Sequence, residues 1–345
     1  MMRKSFSILV GAALAASVAL PALAADTTTL TGAGGTAIYP VLSKWAAAYK
    51  DSKGVEVNYQ AIGSGGGIAQ IKAKTVAFAN SDKPLKPEDL KANKLAQFPG
   101  VIIGIVPVIN LKGVAAGALV LDGKTLADIF MGTIAKWNDP AIKALNPDVE
   151  LPDAQIITVH RSDGSGTTFN FAYYLAKVSK AWRDKIGADT SLAWPTGVGG
   201  KGNAGVAAYV QQVAGSIGYV EYAYAIENKM TYTSMVNADG KTVLPNLEDF
   251  QAASSNADFS KTKDFYLVLA NQSGEKSWPI TAFTYMLMRK DASKENNQAV
   301  LQFMNWFLND DSAQAAAKQL EYVPLPSGTV DMIKEYWKNE LDITL

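Results

Sequence analysis

The chain has no cysteine and a single histidine among its 345 residues. Disulfide frameworks, thiolate metal sites and thiol nucleophiles are therefore excluded, and a histidine-based metal cluster cannot be assembled. It also lacks an excess of either charge, with 32 Lys and Arg against 32 Asp and Glu. Nothing here would neutralise a nucleic-acid backbone or hold the chain to an anionic membrane. Apolar runs long enough to span a membrane are missing too. The one early candidate, Ile8 to Leu20, is too short and too rich in Ala for a good membrane span.

That segment has another reading. Arg3 and Lys4 precede it, and Pro21-Ala-Leu-Ala24 follows with small residues at the two positions that a signal peptidase reads. This is the order of a secretory signal peptide, with cleavage expected after Ala24. Residues 1–24 are thus set apart, and about 320 remain with a net charge near −2. A chain of that length exceeds what one core usually serves, so two domains or lobes are expected. The lack of cysteine is compatible with an oxidising compartment.

The remaining pattern alternates strands with helices. Val55, Val57, Tyr59 and Ala61 alternate with Glu56, Asn58 and Gln60, the period of a half-buried strand. Val41, Leu42, Trp45, Ala46 and Tyr49 share one helical face. Strands are also expected at 76–79, within 98–109 (one or two), at 156–159, at 217–222 and within 279–288. Helices are expected at 169–178, 292–308 and 330–337. This order predicts an α/β protein with mostly parallel sheets covered by helices.

A strand, a turn of Gly, Ser and Thr, and then a helix recur three times, at 31–36 (TGAGGT), 63–67 (GSGGG) and 163–168 (DGSGTT). A helix start carries backbone N–H groups without helical partners and a partial positive charge, and glycine lets the backbone approach a ligand. Each junction is therefore a candidate oxyanion cradle. None ends in the Gly-Lys-Ser/Thr of a nucleotide P-loop. The segment 200–205 (GKGNAG) matches the dinucleotide pattern by letter, but 194–200 does not read as a strand, so a tight turn with Asn203 capping a helix is expected. Arg161, at the end of a strand, can present two parallel N–H groups to an oxyanion; the alternative is a surface pair with Asp163, and Asp163 could equally orient the arginine. Asp82 reads by default as a solvated turn carboxylate, and His160 is assigned no role.

Taken together, 30–36, 59–67, Ser81-Asp82, 121–126, 161–167, 199–203 and 215–222 resemble the periplasmic phosphate-binding proteins of bacterial high-affinity phosphate ABC transporters. The resemblance implies a two-lobed type II periplasmic-binding-protein fold, with mixed sheets flanked by helices and the ligand in the cleft between lobes. It places lobe I at 25–103 and 280–345 and lobe II at 104–279. By the same resemblance Thr36, the backbone N–H of Ala37 and Ser64 bind phosphate from one lobe. Arg161, Ser165, Gly166 and Thr167 bind from the other, Asp82 accepts the ligand's proton, and Asp163 partners Arg161. Ala37 stands where the family commonly has Phe, and Gly65 where Ser is frequent. The implied protein is a monomeric periplasmic carrier that meets membrane permease subunits, with no cofactor, no metal, no nucleic-acid partner, no membrane insertion of its own and no catalysis.

An ionised Asp82 would accept a hydrogen bond from the P–OH of mono- or dihydrogen phosphate, whereas sulfate has no proton to offer. Other oxyanion carriers, for sulfate, molybdate or tungstate, share the cradles but have no use for Asp82. A secreted phosphatase is the alternative from another class. His160 and Ser165 straddle a strand end, however, no Gly-x-Ser-x-Gly surrounds Ser165, and no metal-ligand cluster is evident.

Overall fold

The computed structural model describes residues 29–345, so the expected signal peptide lies outside the described residues. The first stretch runs β1 (Thr29–Gly34), α1 (Tyr39–Lys53), β2 (Glu56–Ala61), α2 (Ser64–Lys72), β3 (Phe78–Ser81), α3 (Pro87–Asn93) and β4 (Leu95–Ile109). It continues through β5 (Val120–Leu121), α4 (Gly123–Phe130), α5 (Pro140–Leu145), β6 (Ile157–Arg161), α6 (Gly166–Val178) and α7 (Lys180–Lys185). Next come β7 (Val198–Gly200), α8 (Gly202–Gln212), β8 (Ser216–Glu221), α9 (Tyr222–Glu227), β9 (Thr231–Tyr232), β10 (Ser234–Val236), β11 (Thr242–Val243) and α10 (Leu247–Ser254). The chain closes with β12 (Thr281–Arg289), α11 (Lys294–Asn309), α12 (Asp311–Gln319) and α13 (Ser327–Leu341).

The main sheet has the order β2-β1-β3-β12-β4-β8-β6-β7, with β9 beside β4. β4 joins its two halves. Leu95 to Gly104 pairs with β12, and Ile105 to Ile109 pairs with β8. All 15 residues of β4 are buried, because helices cover the sheet on both sides. That is why the sequence there reads as an apolar run rather than an alternation. Pro99 would break a regular central strand, since it has no N–H to give the ladder. Here the pairing skips Gly100, with Thr284 opposite Val101 and Tyr285 opposite Pro99, and this bulge absorbs the proline.

β1 runs parallel to β2 and β3, and β6 runs parallel to β7 and β8. In each half the parallel strands are followed by helices, so their C-terminal ends carry loops leading into helix starts. That is where open α/β sheets place ligands. Packing behind the strands is dominated by aromatic side chains: Trp45 stacks on Phe307 at 4.4 Å between ring centroids, and Phe171 on Tyr219 at 4.1 Å.

Two local expectations are corrected. Residues 198–200 do form a strand, held by register with Val159 to Arg161. Asn203 does not cap α8: Lys201 occupies the cap position with no side-chain bond, and Asn203 lies inside the first turn with its side chain turned elsewhere. α12, nine residues rich in Ala and Gln, was not anticipated because its apolar stripe is so thin.

Candidate functional site

The three Gly/Ser/Thr junctions converge. β1 delivers Thr36 and Ala37, β2 delivers Ser64 at the start of α2, β3 delivers Asp82, and β6 delivers Arg161 ahead of α6. Contacts across the two halves of the sheet tie them together. The Gly65 N–H donates to the Gly164 carbonyl at 2.9 Å, and Asn170 Nδ2 of α6 donates to the Asp82 carbonyl at 2.7 Å. Lys83 meets Asp189 at 2.6 Å. Gly166, the first residue of α6, faces both Ser64 and Asp82. A Cβ there would lie 2.5 Å from Ser64 Oγ and 2.7 Å from Asp82 Oδ2. Glycine at that position is a steric requirement for the approach.

Each expected site hydroxyl already receives a protein N–H. Ser64 Oγ accepts from the Asp82 N–H at 3.2 Å, and Ser165 Oγ accepts from the Thr168 N–H at 3.0 Å while capping α6. Thr36 Oγ1 accepts from Asn203, and Thr167 Oγ1 accepts from Arg161 Nη1 at 3.4 Å. A hydroxyl carries one proton and two lone pairs. Each accepts at least one protein N–H, and its own O–H is available to donate. The four therefore form a set of donors suited to an anion.

Arg161 is 4 % exposed. Asp163 clamps it from one side, with Nε to Oδ1 at 2.8 Å and Nη2 to Oδ2 at 2.6 Å. Asp163 Oδ1 also accepts the Gly202 N–H at 2.9 Å. Burial pulls the Asp163 carboxyl upward, but its bonds to Arg161 and that guanidinium's charge outweigh the burial and hold it below the usual range. The sequence left surface pairing and orientation of the arginine both open. The geometry is a buried pair whose remaining guanidinium N–H groups face away from Asp163.

Asp82 is not a solvated turn residue. It is 1 % exposed, and its Oδ1 is buried without a hydrogen-bond partner among the described residues. Burial pushes its pKa up to about 7, against the lowering effect of Arg161. A buried acceptor with nothing to accept costs on the order of 1–3 kcal/mol. Such a group in a ring of donors is matched by a guest that offers both oxygens and a proton.

Three contributors were not read as site residues in the sequence. Asn203, fully buried, reaches Thr36 and Thr167. Tyr224 donates its hydroxyl to the Thr36 carbonyl at 2.8 Å, fixing the peptide whose N–H belongs to Ala37. Glu221, also fully buried, accepts from the Ala223 N–H at 3.1 Å and lies 3.1 Å from the Tyr322 hydroxyl, which itself sits 2.6 Å from the Ala37 carbonyl. Asn203 and Glu221 fall inside the motifs at 199–203 and 215–222, whereas Tyr224 lies beyond them in α9. His160 stacks on Trp194 at 4.7 Å between ring centroids, a packing role. No cluster of His, Cys, Asp and Glu among the described residues could hold a metal ion, and no helix among them is long and apolar enough to cross a membrane.

Comparison with known proteins matches the model of the PBP superfamily domain over residues 21–311. The phosphate-binding protein PstS of Xylella fastidiosa (strain 9a5c) is 54% identical over 312 residues, covering 90% of this chain and 85% of that protein. PstS of Haemophilus influenzae is 50% identical over 318 residues, covering 92% and 95%. Among solved structures, a high affinity periplasmic phosphate-binding protein (PfluDING) bound with phosphate superimposes with a TM-score of 0.71 at 19% identity, covering 89% of this chain and 93% of that one. A phosphate binding protein from Stenotrophomonas maltophilia gives 0.66 at 18% identity, covering 89% and 93%. The structural likeness establishes the type II periplasmic-binding-protein fold, and the sequence identity goes further: this chain belongs to the PBP superfamily and, within it, to the family of the phosphate-binding protein PstS.

Proposed function

We propose that the chain captures inorganic phosphate between two lobes and delivers it to the permease of an ABC importer. It acts as a monomer in the periplasm and performs no chemistry on the ligand. The lobes are taken as 25–103 with 280–345, and 104–279, so that the cradles of β1, β2 and β3 face those of β6 across a cleft. Thr36, the Ala37 N–H, Ser64, Ser165, the N–H groups of Gly166 and Thr167, the Thr167 hydroxyl and Arg161 would donate to phosphate oxygens. Asp82 would accept the proton of the P–OH, with Asp163 holding the arginine.

One observation carries the reading: a buried carboxyl with an unpartnered oxygen, Asp82, sits among hydroxyl groups that each already accept a protein N–H. A set made only of donors would suit sulfate, molybdate or tungstate equally. The acceptor selects a protonated anion, because an aprotic one would set its oxygen against an ionised carboxylate in a dry site. A pocket built around a hydrogen bond can reject an isostere that lacks it by several powers of ten.

Calorimetric titration of ligand-stripped protein with phosphate, arsenate and sulfate tests this. Tight binding of phosphate, with sulfate weaker by a factor of at least about 10³, is expected. No heat with phosphate, or equal affinity for sulfate, overturns the reading. A phosphoester hydrolysis assay is expected to show no turnover.

A further inference from the structure

The Asn203 side chain makes three contacts whose directions can be assigned without ambiguity. Its Oδ1 accepts the backbone N–H of Glu221 at 3.0 Å. Since an N–H can only donate, the oxygen must be on that side and the Nδ2 on the other. The Nδ2 carries two hydrogens. One reaches Thr36 Oγ1 at 2.8 Å, and the second points toward Thr167 Oγ1 at 3.5 Å, a long contact. The backbone N–H of Asn203 adds a further bond to Thr36 Oγ1 at 3.2 Å. Thr36 Oγ1 therefore receives two N–H groups, one for each lone pair. No protein acceptor for its own proton is found among the described residues.

We propose that Asn203 is a positioning residue for phosphate, one that sets the polarity of the Thr36 hydroxyl, and secondarily of Thr167, so that each presents its proton to the ligand. This rests on the phosphate-binding reading above and deepens it. A free threonine hydroxyl in a polar pocket can turn its lone pair or its proton inward. An anion rewards only the second, and Asn203 removes the first. Thr36 follows β1 and Asn203 lies in α8, on opposite halves of the sheet, so the polarity is imposed only when the two halves meet. The full donor strength of Thr36 thereby belongs to the closed conformation. A ligand favours closure by its extra affinity for that conformation, and Asn203 enlarges the difference without touching the ligand itself.

A double-mutant cycle on the full mature chain, read by phosphate calorimetry, separates this role from a structural one. Asn203→Ala and Thr36→Val should each weaken binding roughly tenfold to a hundredfold, the worth of a hydrogen bond to a charged group. In the Thr36→Val background, Asn203→Ala should cost less than about threefold further. In the Thr36→Ser background, which keeps the hydroxyl, its full cost should return. Asn203→Asp guards against misfolding, since it preserves shape and the acceptor for the Glu221 N–H but swaps the Nδ2 donor for an acceptor. It should weaken binding more than alanine does, and part of that loss should disappear with Thr36→Val. Losses that simply multiply in the double variants, or wild-type affinity in Asn203→Asp, overturn this inference alone. Absence of phosphate binding by the wild type overturns it together with the function proposed above.

Discussion

Asp82 concentrates the chemistry of the site in one ionisable group. Its pKa is raised to about 7 by burial, from an ordinary carboxyl value near 4. A raised pKa favours the conformation that buries the group below the ordinary value, and this contribution is lost as pH climbs through the raised one. Between about pH 4 and 7 the ligand-free closed form therefore loses on the order of 4 kcal/mol relative to any state in which Asp82 meets water. Small-angle X-ray scattering of ligand-stripped protein should show a larger radius of gyration at pH 8 than at pH 5, and Asp82→Asn should abolish that dependence. The same substitution supplies an amide that can donate as well as accept. Sulfate affinity should then rise by at least tenfold and phosphate affinity fall, which competitive titration measures.

Glu221 shows the same sign of shift with different consequences. Burial raises its pKa well above the usual range, and the hydrogen bonds from Ala223 and Tyr322 only partly oppose this. The Tyr322 hydroxyl has one proton and lies between two acceptors, Ala37 O and Glu221 Oε2. Protonation of Glu221, which its raised pKa favours, would supply the missing proton. Glu221→Gln, also neutral, should keep the acid-side stability of the wild type and lack its fall on the alkaline side. Thermal melting across pH 5 to 9 checks this, and identical pH profiles for the two proteins would contradict it.

Among the elements, α6 does most to bring chemistry and packing together. Ser165 caps it through the Thr168 N–H, Gly166 and Thr167 open it, and Asn170 one turn further on holds the Asp82 carbonyl. Its N-terminal charge is thus aimed at the site by bonds on both sides of the cleft. Gly166→Ala should reduce phosphate affinity by more than about a hundredfold, because the new methyl would meet Asp82 and Ser64 at 2.5–2.7 Å and closure would have to stop short. The unliganded variant should melt close to wild type, since the clash arises only across the cleft. α2 imposes a similar limit: its preceding residue Gly63 has φ +86°, and a Cβ there would fall 2.4 Å from Asp163 Oδ2. Glycine answers both the left-handed backbone and the close approach.

On the scale of the whole molecule, the site exists only where two halves of a sheet joined by β4 come together. Polar ties between them include Gly65 to Gly164, Asn170 to Asp82, Asn203 to Thr36 and Lys83 to Asp189. The Lys83–Asp189 pair is partly exposed, with the two side chains 29% and 58% accessible, and such pairs are worth little, about 0–1 kcal/mol. Phosphate at a hundred times its Kd should stabilise the protein by about 2.7 kcal/mol and raise its melting temperature accordingly. It should also contract the radius of gyration. Sulfate at the same concentration should do neither.

The amino-acid sequence by itself determined the α/β class and the three Gly/Ser/Thr junctions, because helix starts, glycine turns and strand periods are local properties written in neighbouring residues. It also carried the family, through motifs spread along the chain. Tertiary structure alone decided what those residues are to one another. Asp82 reads locally as a turn acid, and becomes a buried acceptor only because α6, whose Asn170 lies 88 residues along the chain from Asp82, closes over it. Asn203 reads as a helix cap, and becomes a director of hydroxyl protons because β1 and α8 meet 167 residues apart. Burial, and the filling of one group's lone pairs by another, are relations between segments that no stretch of sequence contains.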